Sequence, residues 1–153
     1  MQAAVSFRKA TKEDSDWLMI CTQQAYSIYI PILGRKPVPM TLDYEAAIDD
    51  YDIWIAERED KCIGLLMLQH EKDHTVIYSI AVLPECAGQG VGRQLLVHAE
   101  EVALANGSRL LRLYTNERME RNLAIYRRFG FVDSHITIFQ GSNVIHLKKP
   151  LSY

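Results

Sequence analysis

The pattern of the chain changes across the stretch Pro84-Glu-Cys-Ala-Gly-Gln-Gly-Val-Gly-Arg-Gln-Leu-Leu96. The residues before it are mostly apolar and β-branched, which predicts a strand over 74–83. After it, apolar residues recur at helical spacing from Val91 to Val102, which predicts an amphipathic helix. Three glycines in five residues therefore stand where a strand gives way to a helix.

This junction predicts a binding site for an anionic group. Gly88, Gly90 and Gly92 allow a sharp turn and a close approach of a ligand to the backbone, because no Cβ intervenes. The amides that open the following helix have no partners within it, and the helix dipole adds partial positive charge there. Phosphate is the anion best suited to such a site. For the glycines taken alone, a tight turn without a ligand is the alternative.

Length and composition indicate an ordinary globular protein. The chain has 153 residues, 48% hydrophobic and 24% charged, so we predict a single domain over residues 1–153. Its net charge of -2 offers no electrostatic footprint for nucleic acid or a membrane surface, and we expect neither partner. The longest apolar run, Ile63 to Leu68, is too short to span a bilayer.

The cysteines and the first residues bear on metal binding and compartment. Cys21, Cys62 and Cys86 are odd in number and widely spaced, which fits neither a disulfide framework nor a zinc site. The histidines share no metal-ligand spacing. Residues 1–12 are polar and lack the apolar core of a signal peptide. We therefore expect a cytoplasmic protein without a bound metal.

Periodicity and turn residues predict a mixed α+β order. The predicted strands are 5–9, 53–57, 62–69, 74–83, 109–114, 131–139 and 143–148. Four helices are predicted. The first follows a cap at Thr11, the second runs from a cap at Thr41 to about Asp50, and the last two cover 91–105 and 116–129. A loop of about ten residues, rich in proline, separates the first two helices. The strand, helix, strand order makes 74–83 and 109–114 a parallel pair.

Two motifs resemble those of the GNAT N-acetyltransferases. Residues 82–96, VxPExxGxGxGRxLL, resemble the acetyl-CoA-binding motif of that family, and residues 122–131, NLAIYRRFGF, resemble its later motif. Both occur in the family's order and on the expected elements, and the resemblance covers nearly the whole chain. It implies the GNAT fold, a mostly antiparallel, twisted sheet of six to seven strands with one splayed parallel pair and about four flanking helices.

The resemblance also implies acetyl-CoA as cosubstrate, held in the gap between the splayed strands. The pantetheine arm would run along the backbone of Ile80, Ala81 and Val82, and Asn122 would hydrogen-bond that arm near its amides. The pyrophosphate would lie on the amides of Ala87, Gly88, Gln89, Gly90, Val91, Gly92 and Arg93. The family usually has Gln or Arg where this chain has Ala87. Because the contact is largely through the backbone, we expect weaker support of the loop and retained binding.

Tyr126 follows Asn122 by four residues and shares its helix face. By resemblance, Tyr126 would lie near the thioester sulfur and protonate the leaving thiolate; a tyrosine that only packs the core is the alternative. An amine with a pKa near 10 is about one part in a thousand neutral at pH 7, so a proton must be removed before attack. The base stays open among Tyr78, Ser79, His74, Glu85 and Glu57.

The predicted function is direct N-acetyl transfer, within a ternary complex, from acetyl-CoA to an amine of an unidentified small molecule or peptide. The alternative is a non-catalytic acyl-CoA-binding module that senses or recruits. Dinucleotide and P-loop sites do not fit, because the glycines run GxGxG and no Gly-Lys-Ser/Thr follows. The C-terminal hairpin could supply a homodimer edge. By resemblance, the acceptor site lies under the region of Tyr26, Tyr29, Arg35, Met40 and Tyr44, whose tyrosines could equally be helix packing.

Overall fold

Seven strands form one mixed sheet in the computed structural model, which describes residues 3–152. The strands are β1 (Ser6–Lys9), β2 (Asp52–Arg58), β3 (Lys61–His70), β4 (Thr75–Val82), β5 (Leu110–Asn116), β6 (Val132–Phe139) and β7 (Ser142–Pro150). Their order in the sheet is β1-β2-β3-β4-β5-β7-β6, and only β4 and β5 are parallel neighbours. The single domain predicted over 1–153 includes Met1, Gln2 and Tyr153, which lie outside the described residues.

Five helices cover the two faces of this sheet. They are α1 (Ser15–Tyr26), α2 (Tyr29–Leu33), α3 (Tyr44–Asp50), α4 (Val91–Ala105) and α5 (Glu120–Phe129). One apolar core lies between α4, α5 and the sheet, with Leu95, Leu111 and Leu147 fully buried. The other lies between α1 to α3 and the opposite face, around Leu18 and Met67. The predicted α+β class, with its antiparallel meander and single parallel pair, is confirmed.

The loop predicted after the first helix is partly wrong, because α2 lies within it. Pro31 falls in the first turn of α2, where a helix tolerates the missing N–H of proline. Gly34 then ends the helix with a φ of 74°. The helix is five residues long and still buries Tyr29 and Leu33, so packing against the core outweighs the breaker signals in its sequence.

Two predicted helix starts are also wrong. Asp43 caps α3 in place of Thr41, because its carboxylate accepts hydrogen bonds from the amides of Glu45 and Ala46. Helix α5 begins at Glu120, four residues later than predicted. Asn116 instead belongs to β5, where it pairs with Val144 of β7.

The parallel strands β4 and β5 are neighbours for only two residue pairs. Thr75 pairs with Leu111 and Val76 with Arg112, and from there to Val82 strand β4 is paired with β3 alone. At the same place the register between β3 and β4 shifts, leaving Tyr78 as an extra residue on β4. Such a bulge bends and twists a strand. The parting of β4 from β5 thus coincides with a bulge.

Candidate active site

A cavity opens where β4 and β5 part. Its walls bring together residues from β4, β5, α1 and α5, and they include three of the predicted site residues, Ile80, Asn122 and Tyr126. Residues 35–39, which we call the loop wall, form another side. The remaining predicted site residues follow along β4 (Ala81, Val82) and in residues 87–93, which we call the glycine loop, and none of them lines the cavity.

The bulge on β4 explains which side chains enter the cavity. Strand residues normally alternate between the two faces of a sheet. Because Tyr78 is an extra residue, Tyr78 and Ser79 both face α1 to α3. The ring of Tyr78 packs at a tilt against Tyr51, with 4.8 Å between ring centroids, and Ser79 Oγ lies 3.4 Å from Tyr26 Oη. Tyr26 also donates a hydrogen bond to the carbonyl of Ile80 at 3.1 Å. Helix α1 is thereby fastened to the parted edge of β4.

Tyr126 projects from the buried face of α5 into the cavity and is only 7% exposed. Its ring meets Phe131 edge to face at 6.1 Å. Burial raises the pKa of the phenol well above its ordinary value of about 10. Tyr126 is therefore a neutral hydroxyl near pH 7 that can donate a hydrogen bond into the cavity.

Asn122 has a partner that the sequence did not indicate. Its Oδ1 accepts a hydrogen bond from Tyr29 Oη at 3.0 Å, joining α5 to α2. Because the amide oxygen is engaged, the orientation of the side chain is set and its Nδ2 group is left as a donor. Residues 93 positions apart in the chain form this pair, so no local pattern contains it.

The candidate bases separate into two groups. His74, Glu57 and Glu85 do not line the cavity: His74 contacts Asp73, and Glu57 is ion-paired with Arg8 at 3.2 Å. The other two, Tyr78 and Ser79, do line it. Among residues 3–152, no carboxylate or imidazole group lines the cavity with them. Burial raises the pKa of Tyr78, so its phenol is also neutral and cannot act as a strong base.

The glycine loop has the conformation that an anion cradle needs. Gly88 and Gly90 have φ values of 76° and 82°, a region that favours glycine. Helix α4 begins at Val91, and its first intrahelical acceptor is the Gly90 carbonyl, which bonds the amide of Gln94. The amides at 91–93 thus lack helical acceptors. A Cβ added at Gly88, Gly90 or Gly92 would meet nothing within 4 Å, so the space over the loop is open to a ligand.

Comparison with known proteins fits this architecture. The sequence matches the model of the acetyltransferase (GNAT) family over residues 17–131. The aminoalkylphosphonate N-acetyltransferase of Salmonella typhimurium is 30% identical over 143 residues, covering 84% of this chain and 85% of that protein. The chain therefore belongs to the GNAT family of acetyltransferases. Its class of activity is acetyl-CoA-dependent N-acetyl transfer, and nothing in the comparisons supports the non-catalytic alternative.

Solved structures share the fold at low sequence identity. The PaiA N-acetyltransferase of Thermoplasma acidophilum, in complex with coenzyme A, has a TM-score of 0.79 at 17% identity and covers 95% of this chain and 99% of that one. The ribosomal-protein-S18-alanine N-acetyltransferase of Escherichia coli has a TM-score of 0.79 at 20% identity, covering 98% of this chain and 96% of the other. At these identities the likeness concerns the fold alone.

Metal-binding clusters and membrane-spanning helices are both absent from residues 3–152. Within residues 3–152, no three side chains of His, Cys, Asp or Glu come together as a group that could hold a metal ion. None of the helices in the same range combines the length and the apolar character that crossing a membrane requires.

Proposed function

We propose that this protein acetylates a primary amine of a small molecule, with Tyr126 as the general acid. The observation that carries the proposal is the cavity between the parted strands, which places the β4 backbone, Asn122 and Tyr126 around one space. The Salmonella typhimurium relative, which aligns over most of its length, is named for a small-molecule amine. That name supports a small acceptor over a peptide.

The residues proposed to hold acetyl-CoA form a continuous path. Strand β4 lacks its β5 neighbour beyond Val76, so the pantetheine arm would run along Ile80, Ala81 and Val82 and hydrogen-bond the backbone groups that point to the open side of the strand. Asn122 Nδ2 adds a donor on the opposite side. The glycine loop, from Ala87 to Arg93, would receive the pyrophosphate on its free amides. All of these contacts except that of Asn122 are made by the backbone.

Acetyl-CoA supplies an activated thioester, and the chain supplies orientation and a proton. Tyr126 keeps its proton at neutral pH, because burial raises its pKa, and would give it to the sulfur as the C–S bond breaks. The proton that the attacking nitrogen loses on forming the amide then restores the phenol. Tyr78 and Ser79 can accept or donate hydrogen bonds to the incoming amine. With neither carboxylate nor imidazole on the described walls, the ammonium proton passes to solvent before attack.

The decisive experiment measures release of thiol from acetyl-CoA across a panel of small amines and peptides, with mass spectrometry of the product. We expect an N-acetylated small amine, with kcat/KM rising with pH toward the pKa of that amine, because the proton is lost to solvent. Binding of acetyl-CoA without thiol release for any amine would contradict catalysis. Turnover confined to peptides would contradict the small-molecule acceptor.

We also propose a homodimer formed through β6, and a cytoplasmic location. Strand β6 is at the edge of the sheet and every residue in it is exposed, including Ile136 at 61% and Ile138 at 76%. A second copy of β6, paired antiparallel, would satisfy its backbone and cover these side chains. Light scattering that gives a monomer at micromolar concentration would contradict the dimer. The three cysteines are free thiols, which agrees with a reducing compartment.

A further inference from the structure

The loop wall carries positive charge at one side of the cavity. Arg35 and Lys36 are its two cations, and no Asp or Glu lines the cavity within the described chain. Neither side chain forms an ion pair with another of residues 3–152. Two neighbouring cations without a carboxylate nearby leave the wall with a charge that a bound ligand can balance.

The loop wall is held in place by a series of hydrogen bonds. Tyr44 Oη donates to the carbonyl of Pro39 at 2.7 Å and lies 3.0 Å from Thr22 Oγ1, deep in the core under α1. The amide of Met40 donates to the carbonyl of Pro37 at 2.9 Å. Pro37 and Met40 are buried, and proline further restricts the backbone. The cations are therefore presented from a fixed segment, which lowers the entropic cost of binding.

We infer that the acceptor is a primary amine that also carries an anionic group, a carboxylate, phosphonate or phosphate, bound by Arg35 and Lys36. The inference rests on the proposed function, since it names the substrate class of the same cavity. The guanidinium of Arg35 matches two oxygens of such a group at once, and Lys36 adds a second charge. With the anion on the loop wall, the amine is directed toward β4 and Tyr126.

The test compares matched amines: 3-aminopropylphosphonate and 4-aminobutyrate against n-butylamine, which has no anion. We expect the wild type to favour the anionic amines by about a hundredfold in kcat/KM. Arg35→Gln and Lys36→Gln should each lose about tenfold on the anionic amines and less than twofold on n-butylamine. Lys72→Gln, an exposed turn lysine outside the cavity, is the control and should change neither.

The outcomes separate this inference from the proposed function. Equal kcat/KM for anionic and neutral amines would overturn the anionic acceptor and leave the acetyltransferase intact. Weaker binding of acetyl-CoA by Arg35→Gln, with unchanged selectivity among amines, would assign the cations to the cofactor and also overturn it. Absence of thiol release with every amine would overturn both the inference and the proposed function.

An independent observation concerns the glycine loop at Ala87, whose side chain is a single methyl group. Arg58, at the end of β2, reaches the glycine loop from outside it. Its Nη2 donates to Gln89 Oε1 at 2.6 Å and lies 3.7 Å from Cys86 Sγ. Gln89 Nε2 in turn donates to the carbonyl of Glu85 at 3.4 Å. Arg58 therefore contacts the chain on both sides of the small residue.

We infer that Arg58 is a positioning residue for the pyrophosphate. From β2 it supplies hydrogen bonds to the loop that the methyl side chain at position 87 cannot make. Through Gln89 and Cys86 it supports the first half of the loop, and it brings a positive charge to the residues that precede α4. This inference also rests on the proposed cofactor site. The inference goes beyond that site by assigning a contribution to cofactor binding to a residue 29 positions before the loop begins.

Two acetyl donors provide the test, because acetyl-pantetheine has the thioester arm without the pyrophosphate. Arg58→Ala should raise KM about tenfold for acetyl-CoA and less than twofold for acetyl-pantetheine, with Arg58→Lys in between. Ala87→Gln added to Arg58→Ala should recover part of the loss, since the side chain at 87 is exposed and has room. Lys61→Ala, opposite Arg58 in the same hairpin, is the control and should change neither KM.

Equal effects of Arg58→Ala on both donors, or no effect on either, would overturn the role of Arg58. The proposed function would survive that result as long as the wild type uses acetyl-CoA. Failure of the wild type to use either donor would overturn the proposed function together with this role.

Discussion

The two sides of the active-site cavity are built from different parts of the chain. On the proposed cofactor side, the contacts belong to backbone groups of β4 and the glycine loop. On the proposed acceptor side, the cavity is lined by side chains of the loop wall and by tyrosines from several elements. A backbone site can be made only by a particular local conformation, whereas a side-chain site changes with single substitutions. We therefore expect the first side to be the more uniform of the two and the second to select the acceptor.

The largest effect on acetyl-CoA affinity is expected from a substitution in the glycine loop, on the proposed cofactor side of the cavity. Gly90→Glu adds a side chain at a φ of 82°, which costs about 1–2 kcal/mol. It also places a negative charge beside the pyrophosphate, worth about 4 kcal/mol at 4 Å and an effective dielectric constant of 20. We expect calorimetry to show at least a thousandfold loss of acetyl-CoA affinity.

Gly90→Ala is the matched control, because it imposes the backbone cost without the charge. Its loss of affinity should be nearer tenfold. Wild-type affinity in Gly90→Glu would remove the glycine loop from the cofactor site.

The next effect concerns the residue at which the two sides meet. Tyr126→Phe removes one hydroxyl from a buried ring and should lower kcat about a hundredfold, since a positioned acid typically contributes 10²–10⁴-fold. The affinity for acetyl-CoA should be unchanged. Tyr114→Phe, which removes a hydroxyl from a half-exposed ring in the same cavity, is the comparison and should have little effect. Turnover of Tyr126→Phe at the wild-type rate would refute the role of general acid.

A smaller effect tests the one side chain proposed to bind on the cofactor side. Asn122→Ala should weaken acetyl-CoA binding about tenfold, because it removes a hydrogen-bond donor in a partly buried place. Tyr29→Phe leaves Asn122 present but no longer oriented, so a loss of two- to threefold is expected. If Tyr29→Phe were as damaging as Asn122→Ala, Tyr29 would itself contact the ligand.

The smallest effect is on the pH dependence of folding stability, and it concerns the aromatic packing of helix α4. His98 of α4 stacks on Phe7 at 4.2 Å and meets the edge of Trp54 at 4.5 Å. Burial lowers the pKa of this imidazole below its unfolded value of about 6.5. The unfolded chain therefore binds a proton that the native state does not bind, and the free energy of unfolding falls as the pH drops through and below 6.5.

His98→Phe should remove this pH-dependent part of the stability. Between pH 7.5 and 5, the free energy of unfolding measured by urea denaturation should therefore fall less for the variant than for the wild type. The same slope in both proteins would show that His98 titrates normally in the fold.

The same contrast explains what could be predicted from the sequence. The glycine loop and the strand and helix around it follow from local periodicity and from the conformational freedom of glycine, so they were predicted nearly in place. The Tyr29–Asn122 and Arg58–Gln89 pairs join residues 93 and 31 positions apart. Neither pair lies in a local pattern, and only the fold brings its members together.

Errors in the predicted elements have local causes as well. Pro31 and Gly34 were interpreted as loop residues, yet proline is accepted in the first turn of a helix and glycine ends one, so both also fit a short helix such as α2. Asn116 is a plausible helix cap by residue type, and only its pairing with Val144 makes it part of β5. The bulge at Tyr78 has no signal in the sequence, because it depends on the register with β3.

The short contact between β4 and β5 has a consequence for motion. Within residues 3–152, β1 to β4 are joined to β5 to β7 in the sheet by two residue pairs and by the bond from the Arg109 amide to the Asp73 carbonyl, and α4 provides the covalent link. Without cofactor, amides along the open edge of β4 should exchange rapidly, although the core beneath α4 packs against both halves. In the proposed complex, a pantetheine arm bonded along that edge would act as a substitute strand. Cofactor binding would then stiffen the whole sheet and slow exchange on both halves at once.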